Sequence, residues 1–454
     1  MRPPGQWIGG ALALIAFVLA LWPRHYLEPR GDLPSFTLVM WPKLLRSVLF
    51  WVGLLFIALV LVQAFNPAWS FVMTSRGWTV RPENAIAWLP QGVAETPFAM
   101  MNPWRMLLIY GSAWLLACSL WVGITRARSV RILLTMLVVN GLLLCVLAFV
   151  QRAVGATKIF GIFPVHQNAW SFLAAFIYKN HAGAYFNLVT AAALALAFHY
   201  AVRARQRLLK SSPALLFLLL ALVSSVTVFI SYSRMAFGLW AVLMVFAGIV
   251  YLVLARRKVL GLSPASAALG VVCLLSAVLW FKAGIVRFDF ATASIQRLAD
   301  ARNESSVSSR LVAYAATWEM AQDNLWLGHG AGSFRFIFPQ YQIRRPELLD
   351  KQGRMAGLWE HTHNDYLEFL AEFGLLGAGL ALALLAAFAV ALRRAAAWRR
   401  SPTLILLAAL LLLMVHAAAD FPLQNPAIVC TALILAIACL KWNIPPQPPA
   451  LARR

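Results

Sequence analysis

Apolar residues fall along this chain in runs of about 20, the length a helix needs to cross a hydrocarbon core, with polar residues gathered in the gaps. Runs at residues 5–22, 44–65, 105–123, 132–151, 180–200, 213–231, 234–254, 264–285, 364–391, 402–418 and 426–442 predict about eleven transmembrane helices. The count becomes about twelve if residues 31–43 hold a short or re-entrant piece. The first run is followed by Pro23-Arg24, not by a small-residue cleavage site, so it is expected to stay as a membrane anchor. The fold class is therefore all-α, a polytopic integral membrane protein, with residues 1–454 as one transmembrane domain.

The gaps divide into two alternating sets. One is short and basic: Arg24 to Arg46, Arg126 to Arg131, Arg203 to Arg207, Arg256 to Lys258, Arg393 to Arg400, and the tail with Lys441, Arg453 and Arg454. Glu28 and Asp32 are its only acids. The other set is mixed in charge: Asn66 to Asn102, Arg152 to Lys179, the turn Ser231 to Arg234, Arg287 to His363, and Asp420 to Asn425. Basic loops stay on the cytoplasmic side, which puts the mixed set outside. Residues 287–363 then form one large external loop, and a loop of that length is most often functional. Within it, Ser305 to Leu325 has helical spacing (Leu311, Tyr314, Ala315, Trp318, Leu325), a serine-rich start, and a glycine-rich stop at Gly328 to Gly332. Aromatic residues around Pro164 (Phe160, Phe163, Trp170, Phe172, Phe176, Tyr178) suit a membrane interface and predict a half-inserted helix in 152–178.

Composition sharpens this picture only in part. Of 454 residues, 61% are hydrophobic and 12% charged, well beyond the apolar share of about half found in soluble domains. A formal charge of +23 suggests nucleic acid, but the orientation rule absorbs much of that excess, so no nucleic-acid partner is expected. The five cysteines lie inside apolar runs without a CxxC pair and read as small buried hydrophobes.

The candidate chemistry sits where the last part of the large loop enters an apolar run. His361-Thr-His363-Asn364-Asp365, followed by Glu368 and Glu372, places ionisable groups at a membrane boundary, where they are costly and usually functional. A histidine there suits a general base near neutral pH, with the three carboxylates at helical spacing able to orient it. The bland alternative is a polar cap on a helix. A metal pair at His361 and His363 needs an extended segment and further ligands that no Cys or His cluster supplies, so neither a metal nor another cofactor is expected. Arg234 at the Ser231-Tyr232-Ser233 turn must face an anion, water or headgroups, or else snorkel. Arg310 opens the loop helix, Lys179-Asn180-His181 forms a polar knot at another helix start, and His416 with Asp420 forms one more. Several basic groups at one face suit a phosphate-bearing lipid, because guanidinium forks onto phosphate oxygens.

These residues resemble the O-antigen ligase and polymerase family of bacterial membrane glycosyltransferases, over roughly residues 130–430. The pattern of a histidine, Asn/Ser/Gln, nine residues, Gly, two residues and Gly/Thr/Tyr is met by His363, Asn364, Gly374 and Gly377. Ser233-Arg234 and Arg310 look like the family's two important arginines; Asn180 to Tyr185 and Asp420 to Gln424 also look like family segments. The resemblance implies a multi-pass protein of the inner membrane with its site in the periplasm. It further implies a glycan donor on undecaprenyl diphosphate, a lipid A–core acceptor, and no need for metal or ATP. His363, Arg234 and Arg310 are expected to be catalytic. Lys179, Asn180, His181, Tyr232, His361, Asn364 and Asp365 are expected around the diphosphate or glycan. A polymerase, adding the glycan to a second lipid-linked glycan, shares every motif. A protein-directed oligosaccharyltransferase fits less well, since the chain ends soon after the last helix. From another class, an anion transporter of bicarbonate type would place its polar site near the midplane between similar halves, and a structural scaffold would not need Arg234 and His363 at membrane level.

Overall fold

The computed structural model describes residues 3–26, 36–75, 77–93, 96–164, 172–259, 305–355 and 357–442. The expected span 264–285, Cys273, Trp170, residues 287–304 and the tail arginines lie outside the described residues. In chain order the elements are α1 (Pro3–Leu21), β1 (Arg24–Tyr26), β2 (Phe36–Leu38), α2 (Trp41–Leu45), α3 (Val48–Phe65), β3 (Pro67–Thr74), β4 (Gly77–Pro82) and β5 (Gly92–Val93). There follow α4 (Pro103–Gly123), α5 (Ala127–Ala153), β6 (Lys158–Ile159), β7 (Phe163–Pro164), α6 (Lys179–Gln206), α7 (Ala214–Ile230) and α8 (Arg234–Arg256). Last come α9 (Ser305–Asp323), α10 (Phe334–Ile337), α11 (Pro339–Gln342), α12 (Asp365–Arg394), α13 (Ser401–Ala417) and α14 (Pro426–Lys441).

Helices α3, α4, α5, α6, α8 and α12 are long and apolar enough to cross a membrane; α1, α7, α13 and α14 are shorter apolar helices. Each expected span within the described residues coincides with one of them. The protein is thus an all-α polytopic membrane protein. α6 is its central helix and is buried along nearly its whole length, against α5, α7, α8 and α13. In lipid, helices associate through close packing of small residues, and α6 supplies Ala182, Gly183, Ala184 and Ala191 to Ala193. A Cβ at Gly183 would lie 2.4 Å from that of Ala236, so α6 and α8 touch almost backbone to backbone.

The mixed-charge gaps meet at one end of the bundle. β3 pairs antiparallel with β4, and the aromatic rings of Phe71 and Trp78 pack on Phe336. α9 and α10 build a small core from Ala313, Ala316, Met320, Phe334 and Phe338 that rests on Ala371 of α12. The opposite end gathers basic residues: Lys441 donates to the carbonyls of Leu120, Trp121 and Ile124 at the end of α4.

α12 is not one continuous helix. Gly374 has φ 59° and ψ −165°, which breaks the ladder inside an apolar run. The loop after α9 fills the gap: His329 and Gly330 donate to Ala371 O and Glu372 O at 2.8 and 2.9 Å, while Leu375 and Leu376 donate to Leu325 O and Trp326 O at 2.8 and 3.1 Å. A Cβ at Gly374 would meet the Trp326 carbonyl at 2.5 Å, and one at Gly328 would meet Glu372 O at 2.3 Å. Both glycines have positive φ, so the junction needs them twice over.

One expectation is corrected here. In 152–178 the described residues after α5 form no half-inserted helix; β6 and β7 pair antiparallel, and Gly155, Phe160 and Gly161 adopt positive φ, which turns the chain repeatedly. The helix expected over Ser305 to Leu325 is present as α9, and its buried face is made mostly of small side chains. Leu311 is 62% and Trp318 45% exposed, while Ala313, Ala316, Thr317, Met320 and Ala321 are buried. Small side chains allow the closer approach, and they win over bulk. Cys118, Cys145 and Cys439 are buried and Cys430 partly so.

Candidate active site

The site is built on the short segment that leads into α12. Thr362 is fully buried; its hydroxyl meets that of Thr317 at 2.8 Å and its N–H donates to Glu368 Oε2 at 2.8 Å. His363 follows with φ 57°, a left-handed conformation that a non-glycine residue keeps only when its surroundings enforce it. Tyr314 of α9 supplies part of that constraint, donating to His363 O at 2.7 Å. Asn364 caps α12, its Oδ1 accepting from Tyr366 N and Leu367 N at 3.1 and 3.2 Å. Asp365 ties the same turn to the loop between α13 and α14: its N–H donates to Asp420 O at 3.3 Å, and its Oδ2 accepts from Leu423 N at 2.8 Å.

The two histidines pack on one ring, Phe421. His361 stacks on it at 4.4 Å between centroids, and His363 meets it edge-on at 4.9 Å. Their nitrogens go to different carboxylates. His363 Nδ1 lies 3.2 Å from Asp420 Oδ1, and His361 Nδ1 lies 2.7 Å from Glu368 Oε1. Because a carboxylate only accepts, both rings carry their proton on Nδ1. The second nitrogens then differ. His361 Nε2 accepts from Arg335 at 3.4 Å, whereas His363 Nε2 makes no hydrogen bond to a described residue and its side chain is 23% exposed.

Asp420 is the hub. Its Oδ2 accepts from Asn180 and, at 3.4 Å, from Tyr178, and His416 Nε2 stands 3.9 Å away. Burial pushes its carboxyl up, but the hydrogen bond from His363, the histidine charges and Asn180 outweigh that and hold it down at about 2. Burial foremost, then Asp420, raises the Tyr178 phenol above its ordinary value, so it stays a donor. The carboxylates expected to orient His363 are therefore otherwise engaged: Glu368 with His361, Asp365 with Leu423, and Glu372 with Phe334 N at 3.1 Å. Their helical spacing from His363 was a local signal, and the actual partner is 57 residues away.

The basic groups flank this hub. Arg310 Nη1 donates to Ala419 O at 3.4 Å and its charge acts on Tyr178 and Tyr314. Asn180 joins Tyr178 at 2.6 Å, and His181 Nε2 meets Phe421 O at 3.0 Å, so both brace the hub. Lys179 lies one residue further and is close enough to Arg234 and Arg152 for their charges to repel. Arg234 opens α8 behind the Ser233 cap, which accepts from Ala236 N at 3.2 Å. Tyr232, at φ 55°, turns its ring under Arg152, whose guanidinium carbon lies 5.4 Å from the centroid. Tyr178, Arg152, Arg335 and the pairing of Asp420 with His363 were missed by sequence reasoning. Arg152 was visible as a lone basic residue at the start of a mixed-charge gap.

A histidine–carboxylate pair with Arg310 nearby thus lies at one end of a helical bundle, and the bundle is that of a polytopic membrane protein. Residues 219–382 match the sequence model of the family described as O-antigen ligase (Wzy_C), so this segment is similar to that family. The matched segment includes Arg234, Arg310, His361, His363, Asn364 and Asp365, while Lys179, Asn180, His181 and Asp420 lie outside it. No curated protein matches the chain significantly.

Proposed function

We propose that the protein is a ligase that transfers a glycan from undecaprenyl diphosphate to a hydroxyl of lipid A–core, at the periplasmic face of the bacterial inner membrane. His363 Nε2 takes the proton of the acceptor hydroxyl as its oxygen attacks the anomeric carbon. The bond from that carbon to the diphosphate breaks, and the carrier leaves as undecaprenyl diphosphate. A single displacement inverts the anomeric configuration. Asp420 keeps His363 in the Nδ1–H tautomer and stabilises the imidazolium that forms. Arg234 and Arg310, with Lys179 beside Arg234, stabilise charge on the departing diphosphate. His181, Asn180 and Tyr232 shape that side, and Asn364 and Asp365 hold the His363 turn.

The observation that carries this reading is the difference between the two histidines. Both nitrogens of His361 are engaged, by Glu368 and Arg335, while His363 keeps Nε2 for a substrate. The test is transfer in vitro with purified protein, lipid-linked glycan and lipid A–core, read by product mass and anomeric configuration. An inverted glycan on lipid A–core supports the ligase. Extension of a second lipid-linked glycan instead marks a polymerase, and anion uptake into proteoliposomes without transfer marks a transporter.

A further inference from the structure

Below Asp420 the polar network continues between the helices. α6, α8 and α13 enclose a cavity of about 10 Å³ whose wall includes Ala184, Asn187, Leu239, Leu413 and His416. That volume is about what one water molecule needs. Two buried polar atoms on this wall have no hydrogen-bond partner among the described residues, Asn187 Oδ1 and His416 Nε2. The orientation of the Asn187 amide is set independently, because its Nδ2 donates to Ala236 O at 2.9 Å. Its oxygen therefore faces away from that carbonyl. His416 is 1% exposed, and its Nε2 stands 3.9 Å from Asp420 Oδ2, beyond direct hydrogen-bonding distance.

We propose that one water molecule occupies this cavity, donating to Asn187 Oδ1 and accepting from His416 Nε2–H. Buried polar groups are satisfied by protein or by ordered water, and here both orphans line the same space. The consequence reaches the site. The water joins α13, whose His416 stands beside Asp420, to α6 and α8, which begin at Lys179 and Arg234. His416 is thereby a positioning residue: the water ties down the last turn of α13, where His416 O accepts from Ala419 N at 3.1 Å just before Asp420, and so sets Asp420 and His363 relative to the helices that carry the phosphate-facing cations. The functional part of this inference rests on the reading of His363 as base; the water itself does not.

The experiment has two arms. A map of the unmodified protein in nanodiscs, at a quality that resolves ordered waters, should show density within hydrogen-bond distance of both atoms. A dry cavity, or either side chain turned to another partner, overturns the proposal, whatever the enzyme's activity. In the second arm, Asn187→Leu and His416→Phe each lower single-turnover transfer about tenfold, as loss of an outer-shell partner does, with donor KM unchanged. The double variant falls no further than the worse single variant, since both remove the same water. His416→Gln, which keeps a donor at that place, recovers most of the rate. Multiplicative losses, or no rescue by glutamine in a folded protein, overturn it. If the leucine and phenylalanine variants do not fold, the map and the glutamine variant decide. A protein that transfers no glycan at all would sink the ligase reading while leaving the map to judge the water.

Discussion

At the scale of single residues, a buried carboxylate held ionised by its neighbours sets a pH dependence. Asp420 has a folded value of about 2, below the ordinary carboxylate value of 3.8. A depressed folded value contributes stability that is fully present above the unfolded pKa and is lost as pH falls through the folded one. The window is therefore from about pH 4 down to about 2, and the contribution is roughly 2 kcal/mol. Thermal melts of the unmodified protein and Asp420→Asn in detergent should differ most above that window and converge within it. A gap that stays constant down to pH 2 would contradict the assignment. His363 was legible in the sequence because histidine, amide and carboxylates crowd a membrane boundary, where such groups are rare. Its partner was not. Asp365 and Glu368 stood at the right helical spacing, and only the fold shows that the His363 turn faces Asp420 instead.

At the scale of elements, apolar run length was enough to place every described membrane helix, because the hydrocarbon core fixes that length. It was blind to what happens inside a run. Gly374 interrupts α12 partway along it, and the break exists because the loop from Leu325 to Gly330 supplies the hydrogen bonds that the helix gives up. Run length and spacing also leave the buried face of α9 undecided: alanines, not the larger Leu311 and Trp318, make the contact. The junction yields a sharp prediction. Gly374→Ala forces a side chain into a left-handed position and against the Trp326 carbonyl, which should cost well over about 1 kcal/mol and lower transfer by loosening the turn that carries His363. Gly379→Ala, in open space on the same helix, should be neutral or slightly stabilising. Equal melting temperatures for the two variants would show that the junction is not the constraint described here.

At the scale of the whole molecule, the mixed-charge gaps meet at one end of the bundle and basic residues gather at the other, as their alternation along the chain implies. The compartments follow from the positive-inside rule. In a background lacking the native cysteines, Gln352→Cys should react with an impermeant maleimide in intact spheroplasts, and Ser211→Cys should react only after lysis. The reverse pattern would put the site in the cytoplasm. The central claim is that His363 is the base and the arginines grip the diphosphate, and one measurement separates these roles. Donor binding and single-turnover transfer are followed together in nanodiscs for folded His363→Ala, Arg234→Ala and Arg310→Ala. The arginine variants should lose donor binding, by about 1.5–3 kcal/mol for each charge-assisted bond. His363→Ala should bind donor as before and transfer it about 10²–10⁴-fold more slowly. A folded His363→Ala that transfers at the full rate would contradict the account.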